Sequence, residues 1–155
     1  MKNLDLDSIK KIYFAGIGGI GTSAIAKFML EKGKKVIGSE LVESEISNQL
    51  KELGVKIFIG QKAENVQKDI DIFVYSPALP FDHIERKTAR KLKIPEISYS
   101  EILGLLSKNY NTIAISGTHG KSSTTGITGL IFEYAKKDPN VIIGSKLKEW
   151  NGNMR

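Results

Sequence analysis

Hydrophobic positions fall into short apolar runs bounded by turn residues, separated by longer stretches whose apolar residues recur at helical spacing. The run KIYFA, Lys11 to Ala15, predicts a first strand; a glycine-rich turn follows, then a helix from about Ile20 to Lys32 that stops at Gly33. KKVIGSE supplies a second strand. Ser44 to Leu53 carries Ile46, Leu50 and Leu53 on one helical face and ends at Gly54, before the short strand VKIFIG. DIFVYS, Asp71 to Ser76, repeats the strand pattern, and the two prolines of SPALP then argue for a loop. A helix over about His83 to Leu92 leads through Pro95 to the extended stretch PEIS, and Ser98 or Ser100 is placed to cap a helix containing Ile102, Leu103, Leu105 and Leu106. Strands alternating with helices define an α/β chain with a parallel sheet flanked by helices.

The polar segment SKNYN, Ser107 to Asn111, is the best boundary, because TIAIS, Thr112 to Ser116, restarts the order strand, glycine loop, helix. Residues 1–108 are therefore expected to form a nucleotide-binding domain, and residues 109–155 the beginning of a second that is too short to be complete.

Composition narrows the function classes. The hydrophobic content of 41% allows a buried core, and the net charge of +6 favours anionic partners without choosing among them. The absence of cysteine removes disulfides and thiolate metal sites. The opening residues MKNLDLDSIKK are too polar for a signal peptide, and no apolar run approaches the roughly 18 residues a membrane span requires. The chain reads as cytoplasmic.

Two glycine loops carry the chemistry. Gly16, Ile17, Gly18, Gly19, Ile20 and Gly21 form a G-x-G-x-x-G string between a predicted strand and a predicted helix, the context in which glycines allow a tight turn, close approach to a diphosphate and close helix packing. Glu40, at the end of the second strand, stands where a dinucleotide fold places its ribose ligand; a solvated loop carboxylate is the alternative. The second loop, Ile113 to Thr125, reads IAISGTHGKSSTT. Its spacing, Gly117, Thr118, His119, Gly120, Lys121, Ser122, is shorter than a strict P-loop, but the logic is the same: backbone amides cradle phosphates, Lys121 reaches the outer phosphoryl oxygens, and the Ser122 hydroxyl can hold magnesium. Ser123 can add a phosphate hydrogen bond. A lysine at a helix start opposes the helix dipole unless an anion is present, which makes Lys121 the best single candidate for a catalytic residue.

Taken together, FAGIGGIGTSAIA (Phe14 to Ala26), VIGSE (Val36 to Glu40), VYSPAL (Val74 to Leu79) and AISGTHGKSSTT (Ala114 to Thr125) resemble the Mur ligase family of peptidoglycan precursor synthesis, most of all its alanine-adding branch. The resemblance implies a Rossmann-like first domain for a UDP-sugar, followed by a central ATPase domain and a C-terminal domain. It implies that Gly16 to Gly21 hold the diphosphate of UDP-N-acetylmuramate, with Glu40, Ser76, Pro77 and Ala78 near the uridine. It further implies ATP and Mg2+ at Gly117 to Ser123, with L-alanine as the second substrate joined through an acyl phosphate. The family pattern usually has threonine after the loop lysine, where this chain has Ser122, and aspartate at the position of Glu40. The central-domain carboxylate and histidine of the family, and its C-terminal domain, lie beyond these residues, so no turnover is expected from the 155 residues alone.

Other readings stay open at this point: an NAD(P)-linked oxidoreductase built on the first loop, which leaves GTHGKSSTT unexplained; the related ligase that adds a preformed peptide to the same sugar; and a non-catalytic nucleotide-binding module. The basic stretch Arg86 to Lys93 reads as the solvated face of a surface helix rather than a nucleic-acid site, since no aromatic interleaves with it. His83 reads as a helix-start residue, and Trp150 as part of a surface that the rest of a second domain would bury.

Overall fold

The computed structural model describes residues 5–155; Met1 to Leu4 of the polar opening segment lie outside the described residues. Five parallel strands form the main sheet: β1 (Lys11–Ala15), β2 (Lys35–Glu40), β3 (Lys56–Ile59), β4 (Ile72–Tyr75) and β5 (Glu96–Ser98), in the order β3-β2-β1-β4-β5. Helices α1 (Ile20–Glu31), α2 (Glu45–Glu52), α3 (Ile84–Lys91) and α4 (Tyr99–Ser107) connect and cover the sheet. The chain first winds outward from β1 to β3, then returns to β4 on the other side of β1. This order is that of a doubly wound nucleotide-binding sheet, and it opens a crevice at the carboxyl ends of β1 and β4 where the winding reverses.

Period-two alternation divides the strand side chains between two cores. Ile12, Phe14, Ile72 and Val74 pack with Ala24, Ile25, Phe28 and Met29 of α1, Leu50 of α2, and Ile102 and Leu106 of α4. Tyr13, Ala15 and Phe73 face the other way, against Ala89 of α3 and Ile94. Polar caps start two helices where the sequence suggests. Ser44 and Ser47 form a reciprocal box at α2, and Ser98 and Glu101 form one at α4, so Ser98 rather than Ser100 is the cap.

The chain departs from expectation after α4. Residues 112–116 form no strand; they run beside a groove of about 790 Å³ between α4 and α5 (Lys121–Tyr134). Apolar alternation alone does not make a strand, and none of the described strands lies alongside TIAIS to complete its hydrogen bonds. No sheet is built around the second glycine loop among the described residues.

An antiparallel pair was not foreseen: β6 (Ile142–Leu147) and β7 (Gly152–Met154), joined through Asn151 in the left-handed conformation (φ 46). The four-residue connection, Lys148 to Asn151, closes on Asn151, a residue type that tolerates the left-handed conformation. The hairpin packs on α1, with Met154 entering the main core and Gly126 of α5 lying against Ile143 and Leu147. Trp150 is half-buried: its Nε1 donates to Glu133 Oε2 at 2.7 Å, and its ring closes on Gly129.

Candidate functional site

The first glycine loop lies at the carboxyl end of β1, in the crevice that the strand order creates. Gly16 turns the chain with φ +73, and the amides of Gly16 and Ile17 both donate to Ser39 O, at 3.0 and 3.1 Å. Ile17 is fully buried and lies over Gly38 of β2, where an added Cβ would meet Ile17 Cδ1 and the Phe14 carbonyl at 2.7 Å each. Gly38 is therefore a site-building residue that the sequence reading passed over; the small residue inside VIGSE was its signal. Gly19 caps α1 with no side-chain bond, and the first turn carries no acidic residue, so its amides remain free for an anion. Ile20 begins the helix and is 41% exposed. Gly21 lies under the Tyr99 ring, 2.6 Å from where a Cβ would sit, which brings α1 and α4 close together.

Glu40 lies on this loop. Its Oε2 accepts from Gly18 N at 2.7 Å and its Oε1 from Leu41 N at 2.9 Å, so the carboxylate engages the amide expected to face a diphosphate. Ser76, Pro77 and Ala78 follow β4 across the crevice. Ser76 N donates to Ala15 O at 3.0 Å, and Ser76 Cβ is 3.0 Å from a Cβ built on Gly16, so the two loops touch. The fold thus brings Gly16 to Gly21, Glu40 and Ser76 to Ala78 to one end of the sheet.

Beneath the crevice lies a polar cluster that the sequence reading missed. Glu85 of α3 is completely buried and accepts from Tyr13 Oη (2.9 Å), Ser39 Oγ (2.6 Å), Asn65 Nδ2 (2.8 Å) and Lys62 N (3.2 Å). Among the described residues no cation pairs with it. Burial, and then the Glu85 charge, push the Tyr13 phenol well above its usual range, so it stays a donor. The cluster fixes Ser39, whose carbonyl in turn holds Gly16 and Ile17.

The basic stretch Arg86 to Lys93 is corrected by the structure. Arg86 is 7% exposed, pairs with Glu96 of β5 and stacks on Tyr75, while Arg90 pairs with the same carboxylate; only the lysines form a solvated face. His83 does start α3, with Nε2 3.1 Å from Gln61 Oε1.

The second loop is built differently. Gly117 (φ 153) and Gly120 (φ 76) adopt conformations that disfavour side chains, and Gly120 caps α5 without a side-chain bond. Lys121 Nζ donates to Gly117 O at 2.6 Å and to Thr118 O, folding back over the loop. Thr118, His119, Lys121 and Ser123 are exposed and Ser122 is half-buried, close to Gly144 of β6. An uncapped helix start, open space over Gly120 and a lysine held only by loop carbonyls fit a phosphate group. The hairpin joins the two halves. Asn153 donates from Nδ2 to Ile20 O and to Ser23 Oγ (2.9 Å) in the first turn of α1, while the same hairpin lies against α5. Burial, and then the Lys146 charge, pull Lys27 beside it below the usual lysine value.

Residues 11–111 match the family described as Mur ligase family, catalytic domain. The chain belongs to the Mur ligase family. It is 41% identical over 154 residues to UDP-N-acetylmuramate--L-alanine ligase of Alkaliphilus metalliredigens, covering 99% of this chain and 33% of the relative. It is 46% identical over 139 residues to the ligase of the same name from Pelobacter propionicus, covering 90% of this chain and 30% of the relative. Among solved structures it resembles the UDP-N-acetylmuramate-alanine ligase of Thermotoga maritima, with TM-score 0.88 and 32% identity over 94% of this chain and 34% of that one. The Neisseria meningitides UDP-N-acetylmuramate:L-alanyl-gamma-D-glutamyl-meso-diaminopimelate ligase also gives TM-score 0.88, at 25% identity over 96% of this chain and 47% of that one. The chain spans about a third of the length of the curated relatives it matches. No helix of the described residues is long and apolar enough to cross a membrane.

Proposed function

We propose that this chain is the N-terminal part of a cytoplasmic ATP-dependent ligase that joins L-alanine to the lactyl carboxylate of UDP-N-acetylmuramate, in peptidoglycan precursor synthesis. The observation that carries the reading is the crevice at the strand-order reversal, where the glycine loop meets Ser76. The uncapped start of α1 offers free amides to a diphosphate there, beside the Gly18 amide that Glu40 now holds. The names of relatives at 41% and 46% identity supply the sugar and the amino acid. Against 25% identity to the peptide-adding ligase, they favour the alanine-adding reaction.

In this reading residues 1–108 are the UDP-sugar domain and residues 109–155 begin the ATP-binding domain. Gly18, Gly19 and the first turn of α1 orient the diphosphate, and Ser76, Pro77 and Ala78 lie beside the uridine. Glu40 must then surrender the Gly18 amide to the diphosphate, since two anions do not occupy one donor. ATP, held with Mg2+, supplies the γ-phosphoryl group that the sugar carboxylate takes up as ADP leaves; the amine of L-alanine attacks the resulting acyl phosphate, forming the amide as phosphate departs. Lys121 swings from its loop carbonyls to the transferring phosphoryl oxygens, and Ser122 Oγ holds the metal, in a reaction where positioning and charge stabilisation dominate.

Phosphate release from the full-length protein tests this. Release should require UDP-N-acetylmuramate, L-alanine and ATP together and should be lost in Lys121→Ala, with none from the 155 residues alone. Release that ignores the sugar, or survives Lys121→Ala, contradicts the reading.

A further inference from the structure

The loop after β4, residues 76–82, reaches the crevice with Ser76 and then runs out to the exposed Phe81. Two successive backbone turns shape it: Leu79 N donates to Ser76 O at 2.9 Å, and His83 N to Pro80 O at 3.1 Å. Its middle is held by two arginines one helical turn apart on α3. Arg86 Nη1 donates to Leu79 O at 2.9 Å, and Arg90 Nη2 to Phe81 O at 2.6 Å. Both guanidinium groups are fixed from behind by Glu96 of β5: Arg86 Nε and Nη2 lie at 3.3 and 3.4 Å from its oxygens, and Arg90 Nη1 at 2.9 Å. They are fixed in plane by rings. Arg86 lies 3.6 Å from the Tyr75 ring centroid and Arg90 3.9 Å from that of Phe81.

We infer that Arg86 and Arg90 are positioning residues that hold the 76–81 loop, and with it Ser76 to Ala78, at the distance from Gly16 that the UDP-sugar site requires; this rests on the function proposed above. The arrangement needs guanidinium. Each arginine must meet a carboxylate and a carbonyl while stacking on a ring, and a lysine ammonium supplies neither the planar fork nor the stack. A structural ion pair would need only Arg86 and Glu96. The second arginine, half-exposed and spanning Glu96 and Phe81 O, adds a hold on the loop itself.

The test uses the 155-residue chain with Arg86→Lys and Arg90→Ala. Two readouts apply, the dissociation constant for UDP-N-acetylmuramate by calorimetry and the rate of native-state chymotryptic cleavage after Phe81. Losing a charge-assisted hold should weaken sugar binding about tenfold and speed cleavage after Phe81 by about as much, with the melting temperature of Arg90→Ala close to that of the parent chain. Arg90 is the less buried of the two, so Arg90→Ala carries the test if Arg86→Lys does not fold. Folded variants that bind within about twofold of the parent, with unchanged cleavage at Phe81, overturn the inference. A parent chain that does not bind the sugar overturns the ligand reading itself, which separates the two failures.

Discussion

Truncating Glu85 to alanine should destabilise the chain far more than converting it to glutamine. The carboxylate is completely buried and accepts four hydrogen bonds. Alanine leaves the Tyr13 and Ser39 hydroxyls unpaired in the core at about 1–3 kcal/mol each, while Lys62 N, near the surface, can regain water. Asn65 Nδ2 keeps its bond to Gly60 O and loses only its second partner. With the cavity left by the side chain, the cost should total about 3–6 kcal/mol, a large part of the stability of a domain this size. Glutamine retains an acceptor for Tyr13, Asn65 and Lys62 and disturbs only Ser39 Oγ, which can turn to accept from the new amide, so its cost should be about 1–2 kcal/mol. Urea unfolding at neutral pH reads both values from the midpoints, provided the slopes stay alike. Hydrogen exchange adds a local readout, because Ser39 O holds the Gly16 and Ile17 amides and both should exchange faster in either variant. An alanine variant that loses less than about 1 kcal/mol, or a glutamine variant that loses as much as alanine, would refute the account of this cluster.

Three further outcomes follow from the geometry. Gly38→Ala places a methyl 2.7 Å from the Phe14 carbonyl and from Ile17 Cδ1, so it should cost about 1–3 kcal/mol in denaturant unfolding and weaken UDP-sugar binding through the displaced loop. Asp71 accepts from the Lys11 and Lys10 amides, which hold its carboxyl below the usual carboxylate range. Its stabilisation is present above the unfolded value of about 3.9 and is lost as pH falls through the lower folded value, so Asp71→Asn should flatten the acid limb of a melting-temperature profile. Lys121→Ala should leave the melting temperature unchanged, since its ammonium contacts only loop carbonyls, while removing ATP binding from the full-length protein.

Much of the main sheet was legible because its physics is local. Ile12 and Phe14 alternate with Tyr13 and Ala15, and the strand lies at Lys11–Ala15 as read. Gly33 and Gly54 ended their helices with positive φ. What was not legible depends on residues far apart in the chain. TIAIS has strand composition, yet pairing is decided by a neighbour that no spacing reveals. Arg86 and Arg90 looked solvated because Glu96, Tyr75 and two loop carbonyls meet them only after β4 and β5 align. The same holds for Glu85, whose position in a polar helix start gave no hint that four donors converge on it. Glu40 was placed near the ligand site by its position on β2, but its bond to Gly18 depends on a turn whose exact path the string GIGGIG does not specify.

The central claim is that the crevice between the first glycine loop and Ser76 takes a UDP-sugar diphosphate. Calorimetric titration of the 155-residue chain with UDP-N-acetylmuramate, and in parallel with NADH, tests it most directly. Saturable binding of the UDP-sugar, with none of NADH, is the predicted result; binding of NADH alone would contradict the claim and assign Glu40 to the ribose of a nicotinamide cofactor.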